Sequence, residues 1–76
     1  MADEWVKIRY AGIVRYFRRR SLNQLYEHLQ FLVSNCRAVV DPGEIRLAEE
    51  MEKQNEPLLK LLTEEDIVDR AAAKGH

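Results

Sequence analysis

The sequence predicts an all-α protein, a small bundle or orthogonal array of four to five helices formed by residues 1–76 as one domain. Three observations predict it. Ser21-Leu-Asn-Gln24, Asp41-Pro42-Gly-Glu44 and Thr63-Glu-Glu-Asp66 each read as a helix start, with a side-chain oxygen for the free amides and Gln or an acid in the first turn. Apolar residues then recur at spacings of three and four, the period of a buried helix face. Hydrophobic residues make up 46% of the chain, enough for a core and too many for disorder.

The first predicted helix spans 3–19. Asp3 and Glu4 suit its amino end, Arg18 to Arg20 suit its carboxyl end, and Val6, Tyr10, Ile13, Val14 and Phe17 make a stripe. The alternative is an amino-terminal β-hairpin followed by helices. Val6 to Tyr10 alternate like a half-buried strand, and Ala11-Gly12 offers a turn. Paired that way, Ile8 faces Arg15 and Lys7 faces Tyr16, so neither face is clean, and two strands alone are marginal in water. The helix is therefore preferred.

The second helix spans 22–39, launched by the Ser21 capping box. Its apolar face is Leu22, Leu25, Tyr26, Leu29, Leu32, Val33 and Cys36, and Phe31 falls off that face as an exposed aromatic or a contact to a neighbour. The third spans 42–54, with Pro42 where a missing N–H costs nothing and Ile45, Leu47, Ala48 and Met51 along it. Pro57 removes a hydrogen bond and clashes with the preceding turn, so a break is expected near Asn55. A short turn over 57–62 holds Leu58, Leu59, Leu61 and Leu62. Thr63 caps a last helix over 64–73 with Ile67, Val68, Ala71 and Ala72, and Gly75 terminates it. Residues 74–76 read as the remnant of a purification tag and carry no functional weight.

The run VKIRYAGIVRYF followed by SLNQLYEHL resembles the opening strand, hairpin and first helix of the small sulfur-carrier subunit of molybdopterin synthase. The resemblance covers the first third of the chain. That family ends in a Gly-Gly tail used for thiocarboxylate chemistry, whereas this chain ends Ala-Lys-Gly-His and its second half lacks the strands such a fold needs. No functional residue is carried over.

Composition narrows the class further. A 76-residue chain buries a smaller share of its surface than a longer one, so burial of a second face against another copy is expected, as a homodimer or higher oligomer. A single cysteine, Cys36, leaves no intrachain disulfide and no zinc framework, which points to the cytoplasm or another reducing interior, cellular or viral. No stretch approaches the length of a membrane span, and the first ten residues lack the layout of a signal peptide.

Catalytic chemistry finds little purchase. His28 and Cys36 stand eight positions apart, and Leu32 occupies the position where a second helical ligand to His28 belongs. The acids from Glu49 to Asp69 follow no calcium-loop spacing, and glycines at 12, 43 and 75 make no phosphate loop. No enzymatic activity, metal or cofactor is expected.

Charge is distributed unevenly. Residues 1–40 carry seven Lys or Arg against three acids, and residues 41–76 carry five against ten. Arg15, Arg18, Arg19 and Arg20, with Lys7 and Arg9, are candidates for a phosphate backbone, with Tyr10, Tyr16 and Phe17 as stacking platforms. Against this, the pI is about 6.1, below that of dedicated nucleic-acid domains, and no known recognition motif is visible. A helix end whose cations pair with the acids of Glu49 to Glu56, in the fold or in a partner, is the simpler reading. An anionic membrane surface contacted by Trp5, Ile8, Tyr10, Ile13 and Phe17 is a lesser alternative.

The expectation is thus a non-enzymatic protein-interaction or assembly module, paired with itself or with another protein. Trp5, Tyr10, Phe17, Tyr26, Phe31 and Met51 are its interface candidates. A nucleic-acid-binding accessory protein using the basic cluster is the alternative.

Overall fold

The computed structural model describes residues 4–68. The fold is mixed α/β and not all-α: an antiparallel β-hairpin followed by helices. Strand β1 is Trp5–Tyr10 and strand β2 is Ile13–Arg18, paired from Trp5 opposite Arg18 to Tyr10 opposite Ile13. Helix α1 is Arg19–Leu25, a single 3-10 turn covers Glu27–Leu29, α2 is Gln30–Asn35 and α3 is Pro42–Leu59. Residues 64–68 are helical again.

The predicted helix 3–19 is therefore corrected to the hairpin that was its alternative. Its turn has positive φ at both central residues, 54° at Ala11 and 77° at Gly12, the pairing required by a two-residue turn that matches the twist of the strands. The register is the one that sets Ile8 opposite Arg15 and Lys7 opposite Tyr16. Those mixed pairs counted against a ribbon with one wet face. Here both faces are covered over Trp5–Ile8 and Tyr16–Phe17, while the turn end with Arg9, Ile13 and Val14 stays exposed.

On one side Val6, Ile8 and Phe17 join Leu22, Tyr26, Val33, Cys36, Leu62 and Ile67 in the main core. On the other, Trp5 and Tyr16 meet Val39 and Ala48, with Ile45 beside them. Each large apolar side chain buried this way contributes roughly 1.5–3 kcal/mol, which a bare two-stranded ribbon lacks. The outer edge of β1 is closed as well: the Val39 amide donates to the Trp5 carbonyl at 2.8 Å, and Val6 bridges to Ala38.

The hairpin also moves the start of α1. The Arg19 amide donates to the Glu4 carbonyl at 2.8 Å, so ribbon pairing continues up to the first helical residue. Arg18 becomes the N-cap without a side-chain bond to the helix amides, and Ser21 sits inside the first turn. The predicted helix 22–39 is interrupted at Tyr26 (φ −122°, ψ 59°), where the phenol turns inward to donate to the Leu62 carbonyl, and it ends at Asn35. From Cys36 the backbone is extended, which lets Ala38 and Val39 run along β1.

Asp41 caps as expected, whereas at Thr63 the acid of the first turn is the acceptor. The Asp41 carboxylate accepts from the Gly43 amide at 2.8 Å. The Asp66 carboxylate accepts from the amide and the hydroxyl of Thr63 at 2.8 and 3.1 Å. Helix α3, however, runs through Pro57 to Leu59 where a break was expected near Asn55. Pro57 stands two residues from the end, so little of the ladder is disturbed, and Leu58 and Leu59 hold the last turn against the main core. The remainder of the predicted 64–73 helix, with Gly75 and residues 74–76, lies outside the described residues.

Strand, hairpin and helix do follow one another as the sulfur-carrier resemblance implies. Among the described residues β1 and β2 are the only strands, so that resemblance stops at the first third of the chain. No helix of the described residues is long and apolar enough to cross a membrane.

Candidate functional site

The six basic candidates do not share one open surface. Arg19 points inward: its guanidinium donates to the carbonyls of Val33 and Cys36, the latter at 2.7 Å, and its Nε pairs with Glu4 at 2.6 Å. The Val33 carbonyl also accepts the Cys36 amide at 3.0 Å, so Arg19 adds a second donor at the end of α2 and reaches the first extended residue after it. Arg18 lies over the Trp5 ring, 4.1 Å from its centroid, and pairs with Glu52 of α3 at 3.5 Å. Lys7 pairs with Glu44 at 2.8 Å. Arg15 donates to the Asn55 side chain at 3.4 Å. Arg9 and Arg20 are exposed, Arg9 near the hairpin turn and Arg20 on α1.

The charge asymmetry has its explanation in these contacts. Acidic α3 lies along the basic hairpin, and Lys7–Glu44 and Arg18–Glu52 neutralise the two halves against each other. Both pairs are partly solvated, so each contributes no more than about 1 kcal/mol.

A cleft of about 230 Å3 opens where the hairpin meets α3. Trp5 and Tyr16 line it with Arg18, Arg20, Glu52 and Asn55. Arginines on one wall face glutamates on the other, so it presents no net charge to an anion. Its volume is below the roughly 300–1,000 Å3 usual for small-molecule sites.

Asn55 is the residue that the pattern left unread. It was taken as a helix end, yet it is the buried polar side chain of the described residues, 1% exposed, with its amide donating to the Tyr16 carbonyl at 3.3 Å and its oxygen accepting from Arg15. Its distance of seven positions from the buried Ala48 was the available signal, because such residues share one helix face.

Of the interface candidates, Trp5, Phe17 and Tyr26 are core residues, and Tyr10 packs half-buried against the main core. Met51 is half-buried. Phe31 is open, 67% exposed on α2. Val40 at 82%, Leu61 at 59% and Ile13 at 53% are exposed as well, and of these only Ile13 was named as a contact, for a membrane surface.

The other titratable groups are structural in their surroundings. Burial, then Asp66 and Glu64, raises the Tyr26 phenol above its ordinary range. His28 meets Glu64 at 2.7 Å on the surface. Cys36 is a buried free thiol whose sulfur lies 3.6 Å from the Leu32 carbonyl. Among the described residues no three His, Cys, Asp or Glu side chains are grouped to hold a metal ion. The chain matches no known protein-family model, no curated protein and no solved structure.

Proposed function

We propose that this chain is a non-enzymatic assembly module that joins copies of itself, or a copy of itself to another protein, in a reducing interior compartment. The observation that carries the reading is the exposure of large apolar side chains: Ile13, Phe31, Val40 and Leu61 are each more than half exposed on a 76-residue chain. The buried free thiol of Cys36 suits a reducing compartment.

A nucleic-acid accessory role is the second reading, and the exposed Arg9 favours it. The engagement of Lys7, Arg18 and Arg19 with acids, a ring and carbonyls weighs against it, because a phosphate backbone has to compete for groups already held.

Sedimentation of the full chain over a concentration series, alone and with single-stranded and duplex oligonucleotides, tests both. Mass rising with concentration and indifferent to oligonucleotide supports assembly. A single 8.9 kDa species that shifts only with oligonucleotide, and less at high salt, replaces it with the nucleic-acid reading.

A further inference from the structure

We propose that residues 37–41 are a strand edge through which two copies of this chain pair, about a two-fold axis at Val39, with Arg37 of each facing Asp41 of the other. This rests on the self-assembly reading above and names the surface that performs it.

The segment already runs as a third strand along β1. Val6 bridges to Ala38, and the Val39 amide donates to the Trp5 carbonyl at 2.8 Å. The residues at its two limits are extended as well, Cys36 with φ −66° and ψ 136°, Asp41 with φ −74° and ψ 120°. Main-chain groups alternate in direction along a strand, so with Val39 turned to β1 those of Ala38 and Val40 turn outward. Among the described residues neither Ala38 nor Val40 has a partner for its amide or carbonyl. Such an edge is a template for a further strand.

The limits of this edge fix how a second copy fits it. Pro42 has no amide to offer, and Cys36 is buried at the close of α2, so the accessible stretch is Arg37-Ala-Val-Val-Asp41. Val39 is its midpoint. Antiparallel pairing of two copies about that point sets Ala38 opposite the partner's Val40, and outward groups meet outward groups on both chains. The same register sets Arg37 opposite the partner's Asp41 at each end. A slip of one residue mates inward with outward groups, and a slip of two loses both charge pairs.

The charges favour a copy over an arbitrary peptide. Arg37 and Asp41 are both exposed, and with Lys7 and Glu44 they line one open hollow of about 310 Å3. Lys7 and Glu44 hold each other at 2.8 Å, whereas Arg37 and Asp41 have no ionic partner among the described residues. Four extended residues separate them by about 13 Å, too far to pair within one copy. Across the axis they are direct neighbours, and the match occurs twice because the contact is isologous. On the opposite face Val40, 82% exposed, comes to lie beside the partner's Ala38.

The test measures dimer dissociation constants by sedimentation for the full chain, Arg37→Glu, Asp41→Lys and Val40→Pro, with circular dichroism checking the fold of each. Arg37→Glu opposes two acids at both ends and Asp41→Lys two cations, so each alone dissociates about tenfold more readily. Mixed in equal amounts, the two variants restore attraction at both ends, and the mixed dimer returns to within about threefold of the parent. Val40→Pro takes an outward amide from each copy, hence two hydrogen bonds from the interface, and weakens it at least about tenfold. In the parent, exchange of the Ala38 and Val40 amides slows as concentration rises, while that of Val39, already bonded to Trp5, stays the same. A parent dimer indifferent to Arg37→Glu and Val40→Pro, or with Ala38 and Val40 exchange independent of concentration, overturns the edge pairing and leaves self-assembly standing. Two folded charge variants that weaken the dimer and fail to recover on mixing overturn the register and the proposal with it. Asp41→Lys forfeits a helix cap; if it does not fold, Arg37→Glu, Val40→Pro and amide exchange decide the same question. A parent that is monomeric at every concentration overturns the pairing and self-assembly together.

Discussion

Arg19 donates to the main-chain carbonyl of Cys36 at 2.7 Å, seventeen positions away, and so ties the exit of the hairpin to the end of α2. The same guanidinium reaches the Val33 carbonyl, which also accepts the Cys36 amide, so one rigid fork holds two carbonyls at the end of α2.

Arg19→Met should therefore destabilise the fold by about 1–3 kcal/mol, because it removes the charged donor that holds Glu4 and the Val33 and Cys36 carbonyls together. Arg19→Lys should recover only part of this, since an ammonium cannot span the same acceptors in a plane. Urea unfolding followed by circular dichroism measures both. Equal stability of Arg19→Met and the parent would remove Arg19 from this role.

The hairpin turn gives a second test. Gly12 has φ 77° with open space around the position a Cβ would take, so Gly12→Ala meets backbone strain alone, about 1–2 kcal/mol. Ala11, at φ 54°, is an L-residue in the same left-handed region. Ala11→Asn should stabilise by a few tenths to about 1 kcal/mol, as asparagine suits this turn. Thermal melts should move in opposite directions for the two variants.

Asn55 joins α3 to β2. Replacing it by Ala strands the Tyr16 carbonyl and the Arg15 guanidinium together, an expected loss of about 1–3 kcal/mol. Asn55→Leu keeps the volume and loses the same bonds, so it separates polar satisfaction from packing. If both variants unfold at the parent's urea midpoint, these bonds contribute nothing net.

Tyr26 predicts a pH dependence. Its folded pKa is raised above the ordinary 10.0, so the protonated phenol is favoured by folding. Its contribution is fully present below about pH 10 and is lost as pH rises towards the folded value. Urea midpoints compared at pH 9 and pH 11 should fall for the parent and fall less for Tyr26→Phe. The same replacement should lose about 1 kcal/mol at pH 9, where the bond to Leu62 is made.

Tryptophan fluorescence reports the contact between Arg18 and Trp5. Arg18→Ala should change the emission and lower stability by roughly 0.5–2 kcal/mol, mostly through the ring contact. Glu52→Gln should alter stability by less than about 1 kcal/mol, because that pair is half-solvated.

Local chemistry was legible wherever a few neighbouring residues set the outcome. Asp41 and Thr63 start helices because the Asp41 and Asp66 carboxylates each accept a nearby backbone amide, whatever the rest of the chain does. Cys36 reads correctly as a small buried hydrophobe from its place on the stripe. Residues 5–18 were different, because their apolar positions satisfy a helical and a strand reading alike. Choosing between them needed Val39 and Ala48 on one face, Leu62 and Ile67 on the other, and Ala38 along the edge, all distant in sequence. Once the ribbon is packed on both sides away from its turn, Lys7 opposite Tyr16 is no longer a fault but a route for the ammonium to Glu44. The arginine cluster divides the same way. Its charge is evident in the letters, whereas which guanidinium meets a ring, a carboxylate or a carbonyl depends on where α2 and α3 come to rest, since such partners are chosen by distance in space.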